Sequence, residues 1–258
     1  MTDYDAIAQA YRETKSLPIK QYSEAFTFFQ VLESVHGLAV LDVACGDGYY
    51  TRAMKRQGAS RVIGVDSSHM MITYAQHEEE AHPLGIEYVL DDAETMNILG
   101  AFDLVTAAYL LVHATTQHQL AAMCQAIGKQ LKPGGRLVAL TINPHLVLDQ
   151  LPPVEQYQSG VTAQGPLRDG MPLDITMLTA SGPVRIRDYY WSQGTYESVL
   201  HQAGFGMVGW HAMRVSAEGF HTYGRAYWQA YLNNPQIVVL EAQKGALIMV
   251  SATPVAST

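Results

Sequence analysis

The chain is poor in cysteine and in basic residues for its length. It has two cysteines among 258 residues, Cys45 and Cys124, with no paired-ligand spacing nearby. We therefore expect neither a disulfide framework nor a metal site. Lys and Arg number 16 against 24 Asp and Glu, which gives a formal net charge of −8. Binding to nucleic acid is not expected, because sequence-independent binding needs Lys and Arg to replace phosphate counterions.

Long apolar segments are also missing from the sequence. No stretch approaches the roughly 20 apolar residues that cross a bilayer. The opening residues, Met1–Asp5, are acidic and lack the apolar core of a secretory signal. With 48% hydrophobic and 16% charged residues, the composition is that of a globular protein. We expect a cytoplasmic protein with no membrane partner.

The most informative stretch is LDVACGDGYYTR, residues 41–52. An apolar run precedes it and a helix-like segment follows it. A buried strand, a glycine turn and a helix start in this order hold a ligand close to backbone amides. A second apolar run ends in Asp66, about 20 residues after Gly46, and that spacing suits a ribose diol held across two parallel strands.

Apolar runs alternate with helix-like segments through the first half of the chain. This alternation predicts a parallel sheet with right-handed crossovers. The predicted strands are residues 38–43, 61–66, 86–90, 102–108 and 136–141, and the predicted helices are residues 3–12, 18–35, 49–57, 68–80 and 116–130.

The alternation breaks after Asn143. Residues 143–171 are rich in Pro and Gly and are predicted to be mostly loop. A hairpin is predicted over 173–179 and 184–190, because both segments alternate apolar and polar residues. A helix at 194–203 and strands at 207–213 and 237–241 follow, and Ala246–Val250 could extend the last strand or pair back onto it.

Five motifs, taken in order, resemble the class I S-adenosylmethionine-dependent methyltransferases. They are residues 41–48, Asp66, Asp92-Ala93, residues 102–105 and residues 131–137. The resemblance covers residues 38–141. It implies an enzyme that uses S-adenosylmethionine and releases S-adenosylhomocysteine without a metal. The implied fold is α/β and Rossmann-like: seven mostly parallel strands, the last antiparallel, with N-terminal helices and a hairpin or lid insertion after strand 5.

The resemblance implies a single methyltransferase domain over residues 1–258 with four parts. These are an N-terminal helical cap (1–35), a cofactor-binding core (36–142), an insertion or lid hairpin (143–193) and the C-terminal part of the sheet (194–258).

A finer resemblance lies outside those motifs. Residues 4–11, 15–18, 108–111, 164–172 and 204–205 are similar to the methyltransferases that build azapteridine antibiotics of the toxoflavin type. This implies N-methylation of a small, planar nitrogen heterocycle in secondary metabolism. O-methylation of a small phenol or carboxylate stays open, because nothing in the sequence distinguishes an attacking nitrogen from an attacking oxygen.

The resemblance also implies roles for individual residues around the cofactor. Asp66 would accept from both ribose hydroxyls, Asp42 would meet the ammonium group, and Asp92 or its neighbour Asp91 would accept from the adenine amine. We favour Asp92. The predicted cofactor-binding residues are Tyr22, Asp42, Ala44, Gly46, Gly48, Asp66, Ser67, Met71, Asp92, Ala93 and Ala108.

Two residues after the fourth strand are candidates for catalysis. Tyr109 is expected where the reactive methyl emerges, and His113 is expected one helical turn further on the same face. A neutral His can take a proton near pH 7. Flat side chains would sandwich a planar acceptor. The predicted acceptor-binding residues are Tyr4, Tyr11, Asn143, Tyr190, Trp191 and His211.

Two rival functions are weighed on the same residues. A nicotinamide dehydrogenase would have a third glycine three positions after Gly48, where this chain has Thr51. A non-catalytic protein that binds S-adenosylmethionine would have a blocked or polar-filled pocket. We expect a small-molecule acceptor as the partner of a monomer or homodimer.

Overall fold

The computed structural model describes residues 4–245, and strands alternate with helices up to Ile142. The strands are Ala39–Val43 (β1), Arg61–Asp66 (β2), Glu87–Leu90 (β3), Phe102–Ala108 (β4), Leu131–Ile142 (β5), Ser159–Thr162 (β6), Met171–Thr179 (β7), Gly182–Tyr190 (β8), Phe205–His211 (β9) and Ile237–Lys244 (β10). The α-helices are Tyr4–Glu13 (α1), Ala25–Leu32 (α2), Tyr49–Arg56 (α3), His69–Ala81 (α4), Gln117–Gln130 (α5), Val154–Tyr157 (α6), Gln193–Gln202 (α7), Ala217–Tyr223 (α8) and Arg225–Asn233 (α9).

Some shorter helical segments complete this list. A π-helical segment, Lys20–Glu24, runs directly into α2. Single 3₁₀ turns occupy Thr14–Ser16, Leu111–His113 and Leu148–Gln150. The strand or hairpin considered for Ala246–Val250 lies outside the described residues.

Seven of the described strands form one sheet in the order β3-β2-β1-β4-β5-β10-β9. β1 pairs in parallel with β2 and β4, and β10 pairs antiparallel with both β5 and β9. The predicted sheet of seven mostly parallel strands, with its last strand antiparallel, is therefore confirmed. β5 starts earlier than predicted, at Leu131, and includes the Pro-Gly-Gly segment that ends α5.

The central strands are mostly apolar because both faces of the main sheet are covered by hydrophobic clusters. Val40 and Leu41 of β1 are both fully buried, and they belong to hydrophobic clusters on opposite faces of the sheet. Successive side chains of a strand point to opposite faces, so a strand buried on both sides shows no alternation. The absence of alternation in the sequence is thus a consequence of the layered fold.

Polar side chains begin several of the helices. Ser68, Thr116 and Ser192 precede α4, α5 and α7, and each accepts a hydrogen bond from the backbone N–H three residues later. Such caps satisfy donors that the first turn leaves unpaired. Among residues 4–245, none of the helices has the length and apolar character required to cross a membrane.

A second, antiparallel sheet forms after β5, in the order β6-β7-β8. β7 and β8 are the predicted hairpin. The prediction that residues 143–171 are mostly loop is wrong at β6, where Ser159 and Val161 are buried and pair with β7. Its four residues are too few to show a period among the surrounding prolines and glycines. The buried face of this sheet packs over the carboxyl ends of the main sheet's strands.

Candidate active site

A cavity of about 260 Å³ lies at the carboxyl ends of β1, β2 and β4, and we call it the main cavity because most of the predicted site residues line it. These ends meet at one edge because the three strands are parallel neighbours. The predicted site residues that line the main cavity are Tyr4, Tyr11, Ala44, Gly46, Asp66, Ser67, Met71, Asp92, Ala93, Ala108, Tyr109 and His113.

The turn after β1 is held tightly in a left-handed backbone conformation. Ala44, Gly46 and Gly48 have φ values of 60°, 56° and 80°. A Cβ on Gly48 would lie 2.3 Å from the Tyr88 hydroxyl, so this position admits only glycine without a shift. Gly48 packs against Tyr88 beneath the turn, and its predicted contact with a ligand does not fit this position.

Asp66, at the end of β2, ties the turn to the neighbouring strand. Its Oδ2 accepts from the Gly46 N–H at 2.8 Å and its Oδ1 accepts from the Ser68 N–H at 2.8 Å. Burial raises the pKa of this carboxyl, although the hydrogen bonds oppose that shift. Each carboxylate oxygen has a further lone pair. Asp66 can therefore accept two more hydrogen bonds from a diol in the main cavity.

Asp42 lies below the turn, away from the main cavity. Its side chain is almost fully buried, and it accepts hydrogen bonds from the Thr51 and Thr106 hydroxyls at 2.6 and 2.7 Å. Burial raises the pKa of Asp42 to about 6, and the two hydroxyls reduce the shift. The predicted contact between Asp42 and an ammonium group does not fit, because both oxygens face these threonines.

The loop after β3 distinguishes the two adjacent aspartates. Asp92 lines the main cavity. Both carboxylates also close the loop: Asp91 accepts from the backbone N–H groups of Asp92 at 2.8 Å and Asn97 at 3.3 Å, and Asp92 accepts from the Glu94 N–H at 2.8 Å. Asp91 is not among the residues that line the main cavity. These positions favour Asp92 over Asp91 as the ligand-facing carboxylate.

Tyr109 follows β4 with an unusual backbone and a buried hydroxyl. Its φ is 67°, which is strained for a residue with a Cβ. The hydroxyl donates to Glu24, and Lys20 Nζ lies 3.1 Å from Glu24 Oε2 and 3.9 Å from the centre of the tyrosine ring. Burial, then Glu24, raises the pKa of the Tyr109 phenol. Lys20 and Glu24 are the first and last residues of the π-helical segment.

His113 lies in a 3₁₀ turn rather than on the α-helical face that we predicted, because the backbone reverses at Tyr109. Its Nε2 is 3.2 Å from the Tyr4 hydroxyl, and its Nδ1 is 3.1 Å from Asp188 Oδ1. Asp188 Oδ1 has no hydrogen-bond partner among residues 4–245. Asp188 is itself buried, on β8.

A second, smaller cavity of about 30 Å³, the inner cavity, adjoins the main one. Tyr11 and Tyr109 line both cavities. Lys20, Glu24 and Asp188 supply its charged groups, and apolar side chains from the second sheet and from the ends of β5 and β10 supply the rest. The inner cavity thus places charged side chains next to an apolar wall.

Helix α1 covers the main cavity and is fastened at both ends. Asp5 Oδ1 accepts from the Ser68 hydroxyl at 2.5 Å and from the Met70 N–H at 2.9 Å. Near the other end, Arg12 Nε donates to Asp47 Oδ2 at 3.1 Å. The helix therefore bridges the glycine turn and the start of α4.

Comparison with known proteins identifies a family for part of the chain. Residues 40–135 match the methyltransferase domain family. Over 168 residues the chain is 28% identical to N-demethylindolmycin N-methyltransferase of Streptomyces griseus, covering 64% of this chain and 68% of that protein. Over 111 residues it is 36% identical to a ubiquinone biosynthesis O-methyltransferase of Coxiella burnetii, covering 43% of this chain and 46% of that protein.

Solved structures have the same fold. A S-adenosylmethionine dependent methyltransferase from Mesorhizobium loti superposes with a TM-score of 0.62 at 20% identity, over 90% of this chain and 100% of that one. The CcbJ methyltransferase from Streptomyces caelestis gives 0.66 at 21% identity, over 95% and 99%. Residues 40–135 therefore form a methyltransferase domain, and the fold is that of the class I S-adenosylmethionine-dependent methyltransferases. The prediction of a methyltransferase enzyme is confirmed, and the finer resemblance to the azapteridine enzymes stays a prediction.

Several residues with predicted ligand contacts do not line the main cavity. Tyr22 packs edge-on against Tyr223, with ring centroids 5.8 Å apart. His211 pairs with Glu241 at 2.9 Å in a separate surface groove. The predicted ligand contacts of Tyr22 and His211 do not fit these positions, because the fold directs both side chains away from the main cavity.

The same holds for three residues near the second sheet. The Asn143 amide donates to the Pro235 carbonyl, the Tyr190 hydroxyl to the Pro144 carbonyl, and the Trp191 indole N–H to the Ala114 carbonyl, at 2.9, 2.7 and 3.1 Å. These buried donors fasten loops to one another. The sequence does not distinguish these cases, because an aromatic or amide side chain in a loop-rich region can bind either a ligand or a backbone carbonyl.

Sequence analysis missed Lys15, Glu24 and Asp188. A signal existed for Asp188, because it shares the otherwise apolar face of β8 with Val184 and Ile186. A charge on the buried face of a strand requires a partner or a function. Lys15 and Glu24 carry no comparable signal. Within residues 4–245, no group of three or more His, Cys, Asp or Glu side chains is arranged to hold a metal ion.

Proposed function

We propose that this methyltransferase transfers a methyl group from S-adenosylmethionine to a nitrogen atom of a small, planar heterocycle. The observation that carries the proposal is the continuity of the main cavity. Asp66 and Asp92 lie in the part of it formed by β2 and β3, while Tyr11, Tyr50 and Tyr109 supply flat walls elsewhere. Rigid aromatic faces suit a planar acceptor.

The residues present fit the cofactor that the family uses. Asp66 keeps lone pairs for the ribose hydroxyls, and Gly46 leaves the backbone open at the turn, since no atom lies within 4 Å of where its Cβ would be. Asp92 and Ala93 would receive the adenine edge, with Ser67 and Met71 beside the ring. When bound, the sulfonium supplies an electrophilic methyl group.

The contribution of the chain is then alignment. Holding an acceptor atom about 3 Å from the methyl carbon, opposite the sulfur, can supply ~7–11 kcal/mol. Tyr109 is fixed for this purpose by Glu24 and by its own backbone, so its ring cannot turn away when the acceptor enters. We assign Tyr109 to positioning the acceptor.

We assign His113 to accept the proton that the acceptor nitrogen loses. Its imidazole lies between Tyr4 and Asp188, and a neutral imidazole can accept a proton from an N–H that becomes acidic as the nitrogen is methylated. We expect the His113→Ala, Tyr109→Phe double variant to lose turnover while still binding S-adenosylhomocysteine. Unchanged turnover would remove both assignments.

Transfer to nitrogen is preferred over transfer to oxygen for two reasons. The N-demethylindolmycin N-methyltransferase aligns with 64% of this chain, against 43% for the ubiquinone O-methyltransferase. Two of the segments similar to azapteridine enzymes, residues 4–11 and 15–18, lie in the N-terminal cap, which supplies Tyr4, Tyr11 and Lys15 to the main cavity. O-methylation of a small phenol or carboxylate is the second candidate, supported by the ubiquinone relatives.

The test is a calorimetric titration with S-adenosylhomocysteine, followed by a turnover screen that measures its release from S-adenosylmethionine. The acceptors are matched sets of bicyclic N–H heterocycles, including pteridinediones and indoles, and phenols and aromatic carboxylates of equal size. Release with the heterocycles supports the proposal. Release with the phenols or carboxylates alone supports the second candidate, and no binding of S-adenosylhomocysteine would refute both.

A further inference from the structure

Lys15 is a cation in the main cavity that the assignments above leave unused. Among the described residues that line this cavity it is the one lysine or arginine. Its ammonium group has neither an ion pair nor a hydrogen-bond acceptor among residues 4–245, and the charges that act on it do so from a distance. A half-buried ammonium group has three donors to satisfy, so the lack of an acceptor is costly unless a ligand provides one.

Four tyrosine rings surround this ammonium group. Lys15 Nζ lies 5.1 Å from the centre of the Tyr11 ring, 5.9 Å from Tyr49, 5.6 Å from Tyr50 and 5.7 Å from Tyr109. The ring faces attract a cation but accept no strong hydrogen bond. They hold the ammonium group in place without neutralising it, which leaves it available to an anion.

The position of Lys15 identifies the part of the ligand that it would meet. Tyr49 and Tyr50 open α3 directly after the glycine turn, so Lys15 lies beside the turn and the positive end of that helix. Asp66 and Asp92, which suit the ribose and adenine, end β2 and follow β3. The adenosine half is uncharged, and the one carboxylate of S-adenosylmethionine belongs to its amino-acid end.

We propose that Lys15 binds the carboxylate of S-adenosylmethionine and of S-adenosylhomocysteine, and so makes the site selective for the amino-acid half of the cofactor. This inference rests on the proposed function, because it requires the main cavity to hold the cofactor. Burial, followed by repulsion from Lys20, lowers the pKa of Lys15 to about 8. The group is still mostly protonated at neutral pH, and a carboxylate would stabilise that charge.

The experiment combines two proteins with two ligands. S-adenosylhomocysteine is compared with S-adenosyl-3-thiopropylamine, which keeps the ammonium group and lacks the carboxylate, by calorimetry on the unmodified chain and on Lys15→Met. We expect the unmodified chain to bind S-adenosylhomocysteine about tenfold more tightly than the analogue. In Lys15→Met this preference should disappear, because S-adenosylhomocysteine loses affinity and the analogue does not.

Control variants separate binding from folding. Lys15→Arg should restore most of the preference, since a guanidinium also pairs with a carboxylate. Lys129→Met changes an exposed lysine on α5 and should leave both affinities unchanged. Should Lys15→Met fail to fold, Lys15→Gln replaces it, and the ligand comparison on the unmodified chain stands without any variant.

Three results would overturn the inference. Equal affinity of the unmodified chain for the two ligands would show that no group of the protein binds the carboxylate. An equal loss of affinity for both ligands in a folded Lys15→Met variant would show that Lys15 shapes the cavity without contacting the carboxylate. A preference that persists in Lys15→Met would assign the carboxylate to another residue. Failure of the unmodified chain to bind S-adenosylhomocysteine at all would instead refute the proposed function.

Discussion

Replacing Asp42 by Asn should stabilise this methyltransferase at neutral pH, although Asp42 belongs to the glycine-turn motif. The carboxyl has two threonine hydroxyls as its hydrogen-bond donors, and burial raises its pKa from the ordinary value of about 3.9 to about 6. A shift of about 2 pH units corresponds to about 3 kcal/mol between the protonated and ionised forms. The folded chain bears this cost whenever Asp42 is ionised.

The direction of the pH dependence follows from proton linkage. Because the pKa of Asp42 is higher in the folded chain, the folded state binds more protons than the unfolded state between pH 4 and 6. The cost is therefore absent below about pH 4, grows as the pH rises through about 6, and is constant above. An asparagine is neutral throughout, and its amide can accept from one threonine hydroxyl and donate to the other.

Urea unfolding at pH 4.5 and at pH 7.5, followed by tryptophan fluorescence, measures the effect. We expect Asp42→Asn to raise the free energy of unfolding by about 1–3 kcal/mol at pH 7.5 and by much less at pH 4.5. Asp103→Asn is the matched control with the opposite sign. Lys132 and the Ala39 N–H lower the pKa of Asp103, so this variant should lose stability at pH 7.5. A destabilised Asp42→Asn at pH 7.5 would refute the reasoning.

Two further predictions concern the turn and the strained tyrosine. Gly48→Ala should destabilise the chain by about 1–3 kcal/mol, because alanine is strained at a φ of 80° and its Cβ clashes with the Tyr88 hydroxyl. In thermal unfolding, adding Tyr88→Phe to this variant should recover part of the lost stability. Tyr109→Phe should cost about 1–3 kcal/mol in urea unfolding, because Glu24 then keeps only Lys20 as a partner. A Tyr109→Phe chain as stable as the unmodified one would show that this hydroxyl contributes no net stability.

Much of the sheet could be predicted because its signals are local. Apolar runs, glycines and strand-ending aspartates stand next to one another in the sequence. Gly46 and Asp66 lie side by side in the fold, where the Gly46 N–H donates to the Asp66 carboxylate. The direction in which each motif side chain points is not determined by the local sequence. Asp42 points toward Thr51 and Thr106 rather than toward the cavity, and only the side-chain directions of the folded turn decide this.

The acceptor side of the site was less predictable for a different reason. Glu24 accepts a hydrogen bond from Tyr109 although 85 residues separate them in the sequence. Glu24 also lies in a π-helical segment, which the spacing of apolar residues does not predict. Conversely, Trp191 and His211 were assigned to the acceptor by residue type, yet their partners are the Ala114 carbonyl and Glu241. Residue type alone does not distinguish a ligand contact from a well-satisfied internal hydrogen bond.

The fastening of α1 across the main cavity has a consequence for turnover. We expect a cofactor bound beneath this helix to leave faster when the contacts of Asp5 with the start of α4, or of Arg12 with Asp47, are broken. Release of the spent cofactor is a step that limits turnover in many enzymes, so weakening these contacts should change the turnover rate as well. Salt screens the ion pair between Arg12 and Asp47. The residence time of the spent cofactor should therefore shorten as the ionic strength rises.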